Sequence, residues 1–324
     1  MGSSFRCSVQ FLVAAVALLS FGVQAQAPSG KPIRIVAPFA AGGGTDSVAR
    51  TIAQKMSERG RVMVVENRPS AGGIVAAEFV AKSPADGYTL FIGDSGHFAI
   101  NPNLYKQLPY DPVRDFAPVI EVTDTHLCLT VRSDFPGTTL ADFIAQSKSR
   151  PKGLMYGSPG NGSPHHLAME LLRSMSGGNL VHVPYKGSAQ ATPALLAGDI
   201  DALFAGPSAT MRLVKAGRLK IIALASQKRA SFLPTVPTIV ESGYPEYEIH
   251  NTIGLLAPTG TSSDFIHSLN QAIAQVLQLP DTTARFTDLG MEAIGGTPEE
   301  FGRSIRRQIE QYARLVKISG AKQE

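Results

Sequence analysis

The chain has 324 residues, of which 44% are hydrophobic and 17% charged, and its formal net charge is +4. A chain of this length is expected to bury a large core and to divide into two domains. Lysine and arginine are scattered, with the densest cluster at Arg303, Arg306 and Arg307 on a predicted amphipathic helix. A basic stripe with interleaved aromatic residues is absent from the sequence, so nucleic acid is not an expected partner.

Residues 1–27 are predicted to be a cleaved secretory signal peptide. Arg6 gives a positive start, and 11–21 is an apolar run too short to span a bilayer. Two small-x-small cleavage sites follow, ending at Ala25 and Ala27. The chain is therefore expected to be exported, with its mature form starting near residue 28.

The number and position of the cysteines indicate the cellular compartment of the protein. Cys7 lies in the predicted signal peptide, which leaves Cys128 as the only cysteine of the mature chain. An intramolecular disulfide is then impossible, and this favours the bacterial periplasm over a disulfide-stapled extracellular module. No Cys, His, Asp or Glu grouping has metal-ligand spacing, and no metal or other cofactor is expected.

Strand and helix patterns alternate after the signal peptide. The predicted order is strand 33–39, helix 47–58, strand 62–66, helix 74–82 and strand 88–93. This βαβαβ order predicts a parallel sheet with right-handed crossovers. Ligands of such sheets bind beyond the carboxyl ends of the strands.

A second α/β series starts at residue 127. Its predicted strands are 127–131, 154–157, 181–183, 202–205 and 221–225, with helices at 140–147, 165–174 and 190–197. Helices at 265–277 and 298–318 follow, the last with Thr297 as its cap, Pro298 at its first position and Glu300 at N3. We therefore predict an α/β protein of two similar units, between which the chain crosses more than once.

The loop from Pro38 to Asp46 joins the first strand to the first helix and contains three consecutive glycines. Bare glycine backbone beside a helix N-terminus suits an anion, and Thr45 is the predicted N-cap. A dinucleotide fingerprint would need glycine where Ser47 stands, and a P-loop would need a lysine where Thr45 stands. The loop is thus predicted to bind a small anion, with a plain tight turn as the alternative.

A second loop, from Tyr156 to His166, also runs from a strand into a helix. Ser163 is its predicted N-cap and Pro164 its first helical residue. The two adjacent histidines at 165 and 166 point about 100° apart, so one helix face cannot offer both to a metal. This loop is predicted to be a second anion-binding helix start.

Two further segments leave alternatives open. Lys186 could complement a carboxylate or be an ordinary exposed lysine. Gly93–His97 resembles a serine-nucleophile turn, but His97 stands where the nucleophile elbow needs glycine, and no base can be assigned. Ser95 is therefore expected to contact ligand or cap a loop, and a secreted serine hydrolase remains a minor alternative.

Together these segments resemble the Bug proteins, the extracytoplasmic solute receptors of the tripartite tricarboxylate transporter family. The matching motifs are Lys-Pro-Ile-Arg-Ile-Val at 31–36, Pro-Phe-Ala-Ala-Gly-Gly-Gly-Thr-Asp at 38–46, Val-Glu-Asn-Arg-Pro at 65–69, Asp-Gly-Tyr-Thr-Leu at 86–90, Pro-Tyr-Lys-Gly-Ser at 184–188, Ala-Gly-Arg-Leu-Lys at 216–220 and Pro-x-Val-Pro-Thr-x-x-Glu-x-Gly at 234–243. Each motif is weak by itself, but their order along the mature chain is specific.

The resemblance implies a type II two-lobe periplasmic binding protein in which each lobe is a mostly parallel sheet flanked by helices. Domain 1 would comprise 28–125 and 235–324, and domain 2 would comprise 126–234. The protein would be a monomer without enzymatic activity that closes over a small organic carboxylate and delivers it to an integral-membrane permease. A ligand-presenting sensor protein for a periplasmic signalling receptor is the alternative.

The resemblance also implies which residues bind the ligand, largely through backbone N–H groups and small hydroxyls. They are Ala40, Gly43, Gly44, Thr45, Asp46, Ser95, Ser158, Gly160, Asn161, Ser163 and Ala205. Family members that take amino acids carry a carboxylate just after the strand 202–204, where this chain has Ala205. An ammonium group would lack a partner there, so a simple organic or aromatic carboxylate is expected.

Two other departures from the family pattern also concern the ligand. A tryptophan common before Gly-Leu-Leu is replaced by Asn251-Thr252-Ile253, and Thr261-Ser262 replaces the usual Thr-Pro.

Overall fold

The computed structural model describes residues 30–185, 188–249 and 251–321, and the strands within these ranges form two sheets. The predicted signal peptide and Lys186 lie outside the described residues. No helix within the described ranges is long and apolar enough to cross a membrane.

Strands and helices alternate through most of the chain. The strands are β1 Ile33–Ala37, β2 Met63–Asn67, β3 Thr89–Asp94, β4 Phe116–Thr125, β5 Leu127–Arg132, β6 Leu154–Ser158, β7 Leu180–Pro184, β8 Ala202–Ala205, β9 Leu219–Ala225, β10 Thr252–Pro258 and β11 Met291–Gly295. The helices are α1 Gly44–Glu58, α2 Ile74–Ala81, α3 Asn101–Leu104, α4 Leu140–Ser149, α5 Pro164–Ser176, α6 Ser188–Ala197, α7 Pro207–Lys215, α8 Ser263–Leu277, α9 Pro280–Asp288 and α10 Pro298–Ser319. A π-helical turn, Gly96–Ile100, leads directly into α3.

The first sheet has the strand order β11-β4-β10-β3-β1-β2. β1 is parallel to both β2 and β3, which confirms the predicted βαβαβ unit. β10 runs antiparallel between β3 and β4, and β11 is antiparallel to β4. The carboxyl ends of β1 and β3 therefore lie side by side, and the loop before α1 leaves from this edge.

The second sheet has the strand order β7-β6-β8-β5-β9. β6 is parallel to β7 and β8, whereas β5 is antiparallel to β8 and β9. The predicted α/β class with two similar units is confirmed. Each sheet is mixed, where a mostly parallel sheet was predicted, because the strands next to the crossings run antiparallel to their neighbours.

Both faces of the first sheet are covered, as expected for a parallel βαβ unit. Ile35 points to one side, where it shares a buried cluster with Val48 and Ile52 of α1. Val36, the next residue, points to the other side and joins a cluster with Val80 of α2 and Phe301 of α10. The alternation along β1 thus places α1 and α2 on opposite faces.

The chain passes between the sheets in two places. A single residue, His126, separates β4 of the first sheet from β5 of the second, and the longer connection 226–251 returns from β9 to β10. The predicted division at 125/126 falls at the first crossing and that at 234/235 within the second connection. These domain boundaries stay a prediction.

Helix α10 packs on both lobes. Phe301 lies in a cluster of the first lobe, whereas Tyr312 and Leu315 lie in the main cluster of the second. Its start has the predicted capping box, in which Thr297 Oγ1 accepts the N–H of Glu300 and the Glu300 carboxylate accepts the N–H of Thr297. The C-terminal helix therefore joins the two units.

Candidate functional site

The first predicted anion loop ends in a helix start with free donors. The N-cap of α1 is Gly43, and no side chain caps the helix. The predicted N-cap, Thr45, is therefore wrong: Thr45 lies inside the first turn and is buried. Within the described residues, the N–H groups of Gly44 and Thr45 have no hydrogen-bond partner. Such N–H groups at a helix N-terminus attract negative charge.

The side chain of Asp46 holds this loop in place through hydrogen bonds. Its carboxylate accepts the N–H of Gly42 at 2.9 Å, Nε of Arg50 at 2.9 Å and Nδ2 of Asn67 at 2.8 Å. Asn67 Nδ2 also donates to the carbonyl of Phe39 at 3.0 Å. Asp46 is 2% exposed, so its carboxylate shapes the loop and is not offered to an anionic ligand.

These contacts fix the charge of Asp46. Burial by itself would raise the pKa of the carboxyl, but the hydrogen bonds from Arg50, Gly42 and Asn67 outweigh burial, and its pKa is lowered. Gly42 has φ +91°, a conformation that favours glycine, while Ala40 and Gly43 are exposed. The loop thus exposes its glycine-rich backbone, and the ionised carboxylate of Asp46 holds it in shape.

The second predicted loop is also fixed internally. The predicted cap is confirmed, since Ser163 Oγ accepts the N–H of His166 at 3.2 Å, and Pro164 is the first helical residue. Ser163 Oγ also donates to the carbonyl of Gly160 at 2.8 Å, and Ser158 Oγ donates to the same carbonyl at 2.9 Å. Both hydroxyls therefore serve the loop, and Asn161 is exposed beside them.

Ser95 lies in a buried polar network, and its side-chain hydrogen bonds go to Gln308 and Thr252. It is 0% exposed, and its Oγ donates to Oε1 of Gln308 at 2.7 Å and accepts the N–H of Thr252 at 3.0 Å. Gln308 Nε2 donates onward to Thr252 Oγ1 and Ser304 Oγ. The structure thus places the Ser95 hydroxyl under α10.

This arrangement does not provide a catalytic serine. The nearby His97 pairs through Nδ1 with Asp94 at 2.7 Å, but Ser95 Oγ bonds to Gln308 and not to this ring. Within the described residues, no histidine lies at hydrogen-bond distance from Ser95 Oγ. A nucleophile needs such a base, and the geometry therefore disfavours a serine hydrolase.

Contacts between the lobes connect the first loop with the region of Ala205. Gly44 lies so close to Met291 that an added Cβ would be 2.9 Å from its methyl group. The adjacent Gly290 faces Pro207, where an added Cβ would be 2.2 Å from the proline Cβ. Pro207 begins α7 two residues after Ala205, which is buried at the end of β8.

The second loop reaches the first lobe at another point. An added Cβ on Gly162 would lie 2.4 Å from Leu104 at the end of α3. The second loop thus contacts the first lobe directly at Leu104, whereas the first loop is linked to Pro207 of the second lobe through Met291 and Gly290.

A cavity of about 370 Å³ lies apart from both loops, against β11 and α10. Its lining includes Glu121, Arg303, Ser304 and Arg307.

In the described residues, no group of three or more His, Cys, Asp or Glu side chains could hold a metal ion.

The residues that support the two loops are not among the predicted ligand-binding residues. Arg50 and Asn67 donate hydrogen bonds to Asp46. In the second loop, Ser158 Oγ lies 2.7 Å from His182 Nε2, and the N–H of Gly162 donates to His166 Nδ1. The family motif at 65–69 contains Asn67 and was the available signal for the first set. The contacts of His182 depend on strand pairing and could not be found from its neighbours in sequence.

The structure has two α/β lobes that are joined by two crossings, and the uncapped helix start of α1 lies near the contact between the lobes. This arrangement defines the class of two-lobed solute-binding proteins. Residues 48–321 match the model of the tripartite tricarboxylate transporter family receptor, TctC. The chain belongs to this family and is a periplasmic solute-binding protein of the TctC and Bug type.

Individual relatives match along nearly the full chain. Protein BugT of Bordetella pertussis (strain Tohama I) is 34% identical over 310 residues, covering 95% of this chain and 95% of BugT. The solved structure of Rpa4515 of R. palustris with adipate is 37% identical, covers 90% of this chain and 98% of that chain, and has a TM-score of 0.81. MatC (Rpa3494) of Rhodopseudomonas palustris with bound malate is 31% identical, covers 88% and 98%, and has a TM-score of 0.76.

Proposed function

We propose that this protein captures a small organic carboxylate between its two lobes in the periplasm and delivers it to a tripartite tricarboxylate-type permease in the membrane. The observation that carries the proposal is the helix start at Gly44 and Thr45, whose N–H groups are unpaired within the described residues. The second loop, at Ser158–Ser163, would border the ligand from the other lobe.

Two further observations support a carboxylate as ligand. The relatives Rpa4515 and MatC have structures with adipate and malate, both of which are dicarboxylates. At the end of β8 this chain has Ala205, so an amino acid's ammonium group would be desolvated without a carboxylate partner there. We therefore propose a carboxylic acid without an amino group.

Closure of the two lobes would follow from the binding of one ligand to both of them. A ligand that contacts both helix starts favours the arrangement in which they face each other, and the two crossings act as the hinge. We propose the division at 125/126 and 234/235 for these moving parts. The predicted export signal at 1–27 would bring the protein to its compartment.

The test is ligand binding by the purified mature chain. Adipate, malate and a panel of aromatic and aliphatic carboxylates are titrated by calorimetry and thermal shift, with aspartate as the amino-acid comparison. Binding of a carboxylate should raise the unfolding temperature by mass action, while aspartate should give no shift. A full panel without any shift, and no acid released from freshly purified protein, would contradict the proposal.

Delivery to the permease is tested separately. The ligand-loaded protein should bind reconstituted permease membranes and support uptake of the radiolabelled carboxylate. Capture of a histidine-kinase ectodomain without uptake would instead support the sensor alternative. An active-serine probe should leave Ser95 unlabelled because its hydroxyl is buried and hydrogen-bonded to Gln308.

A further inference from the structure

Two stacked histidine rings lie beneath the second loop. His166 on α5 and His182 on β7 have ring centroids 3.9 Å apart and planes inclined by 20°. Tyr156 packs against both rings, with its centroid 5.0 Å from that of His182 and 6.3 Å from that of His166. His166 is 3% exposed, so this ring cluster belongs to the interior of the second lobe.

Each ring contacts a different end of the loop. His182 Nε2 lies 2.7 Å from Ser158 Oγ at the end of β6. His166 Nδ1 accepts the N–H of Gly162 at 3.0 Å, just before α5 begins. Ser158 Oγ also accepts the N–H of Gly160 at 3.1 Å, so the contact of His182 extends into the middle of the loop.

The bond from Gly162 requires His166 Nδ1 to carry no proton. Burial, together with the charges of His182 and Arg173, lowers the pKa of His166 to about 3. Burial also lowers the pKa of His182, against the attraction of Glu170. Glu170 itself accepts the hydroxyl of Tyr156 and pairs with Arg173 at 2.9 Å. Both rings are therefore neutral at neutral pH, and His166 can accept.

From these contacts we infer that His166 and His182 are positioning residues for carboxylate binding. Through Gly162 and Ser158 they hold the Ser158–Ser163 loop in its binding conformation, and their mutual stacking couples the two ends of the loop. This inference rests on the proposed function of the loop. It assigns to the pair no contact with the ligand itself.

Variants separate hydrogen bonding from packing. His166→Phe and His182→Phe keep an aromatic ring in the stack but remove the nitrogen that meets the loop. His166→Asn puts an amide oxygen near the position of Nδ1, and His182→Gln puts an amide nitrogen near the position of Nε2. His267→Phe, at an exposed position on α8, is the matched control.

Affinity for adipate and malate is measured by calorimetry on each variant. Each phenylalanine variant should weaken binding about tenfold, the equivalent of one hydrogen bond, while His166→Asn and His182→Gln should retain most of the affinity. His267→Phe should bind like the wild type. Phenylalanine variants that bind like the wild type would overturn the inference.

A second measurement needs no ligand. Amide hydrogen exchange at Gly162 should accelerate about tenfold in His166→Phe, and exchange at Gly160 should accelerate similarly in His182→Phe. The ¹⁵N shifts of wild-type His166 should show an unprotonated Nδ1 at neutral pH; a protonated Nδ1 or unchanged exchange would refute the positioning role. If the wild type binds no carboxylate, the proposed function fails while these data still decide the role of the histidines.

Discussion

At the scale of single residues, Asp46 supports the first loop because three donors converge on its buried carboxylate. Asp46→Asn replaces one acceptor oxygen by a donor group that opposes a donor of Gly42, Arg50 or Asn67. We expect the free energy of unfolding at pH 7 to fall by about 1–3 kcal/mol, since a buried donor is left unpaired. Urea unfolding measures the loss.

The pH dependence of the same variant has a defined sign. The pKa of Asp46 is lowered in the folded protein, so its stabilisation is complete above the unfolded pKa and is lost as the pH falls through the folded one. The difference between wild type and Asp46→Asn should therefore shrink below about pH 4. Asp288→Asn, at an exposed position at the end of α9, should show no comparable difference. A constant difference down to about pH 2 would show that the carboxylate is not the cause.

Gly42 and Gly43 of the first loop differ in whether their backbone conformation tolerates a side chain. Gly42 has φ +91°, so Gly42→Ala strains the backbone and should cost about 1–2 kcal/mol of folding stability. Gly43 has φ −74° and ψ 172°, and an added Cβ would meet its nearest atom at 3.8 Å.

Gly43→Ala is therefore a substitution that tests binding without disturbing the fold. We expect its unfolding free energy to lie within about 0.5 kcal/mol of the wild type. If a carboxylate approaches this bare backbone, its affinity should fall about tenfold by calorimetry. Unchanged affinity in Gly43→Ala would place the ligand away from this part of the loop.

At the scale of elements, α10 is tied to the first lobe by Gln308. Its amide bonds to Ser95, Thr252 and Ser304, all of which are buried. Gln308→Ala leaves these hydroxyls with fewer partners and opens a small cavity, so we expect a loss of about 2–4 kcal/mol in urea unfolding. Gln271→Ala, at an exposed position on α8, should be neutral. A neutral Gln308→Ala would mean that water replaces the amide.

Local signals in the sequence predicted most of the α/β elements and both loops. The βαβαβ unit, the capping box of α10 and the Ser163 cap follow from periodicity and from glycine, proline and serine at element ends. The predicted start of α1 is three residues late, because a glycine N-cap leaves no side-chain signal and the sequence favours Thr45 as the cap. Here Asp46 supplies the support instead, by binding the N–H of Gly42.

Other elements depend on distant packing and could not be predicted locally. β4 contains Pro118 and β10 contains Gly254, both of which usually mark breaks in strands. An added Cβ on Gly254 would lie 2.2 Å from Phe301 of α10, so this glycine admits the helix. The residues that support the loops also lack a local signal, because Asn67 and His182 reach their partners only across paired strands.

At the scale of the whole molecule, the ligand is proposed to link two lobes, and Cys128 in the second lobe can report this link. Cys128 lies on β5 beside the first crossing and is 0% exposed. Burial raises the pKa of its thiol to about 12, so the thiolate that reacts with disulfide reagents is scarce in the folded protein. Labelling at neutral pH should therefore require opening of the second lobe.

Carboxylate binding should slow this labelling. If opening of the second lobe destroys the site, a ligand at about 100 times its Kd lowers the open population about 100-fold, and the rate of thiol labelling falls with it. The experiment uses a thiol reagent on the chain without residues 1–27, in which Cys128 is the only cysteine. Where the two lobes open independently, a ligand that binds only the helix start of α1 would stabilise the first lobe alone. The rate of labelling of Cys128 in the second lobe would then be unchanged. Protection of Cys128 by adipate or malate, lost in Asp46→Asn of the opposite lobe, would therefore show that one ligand engages both.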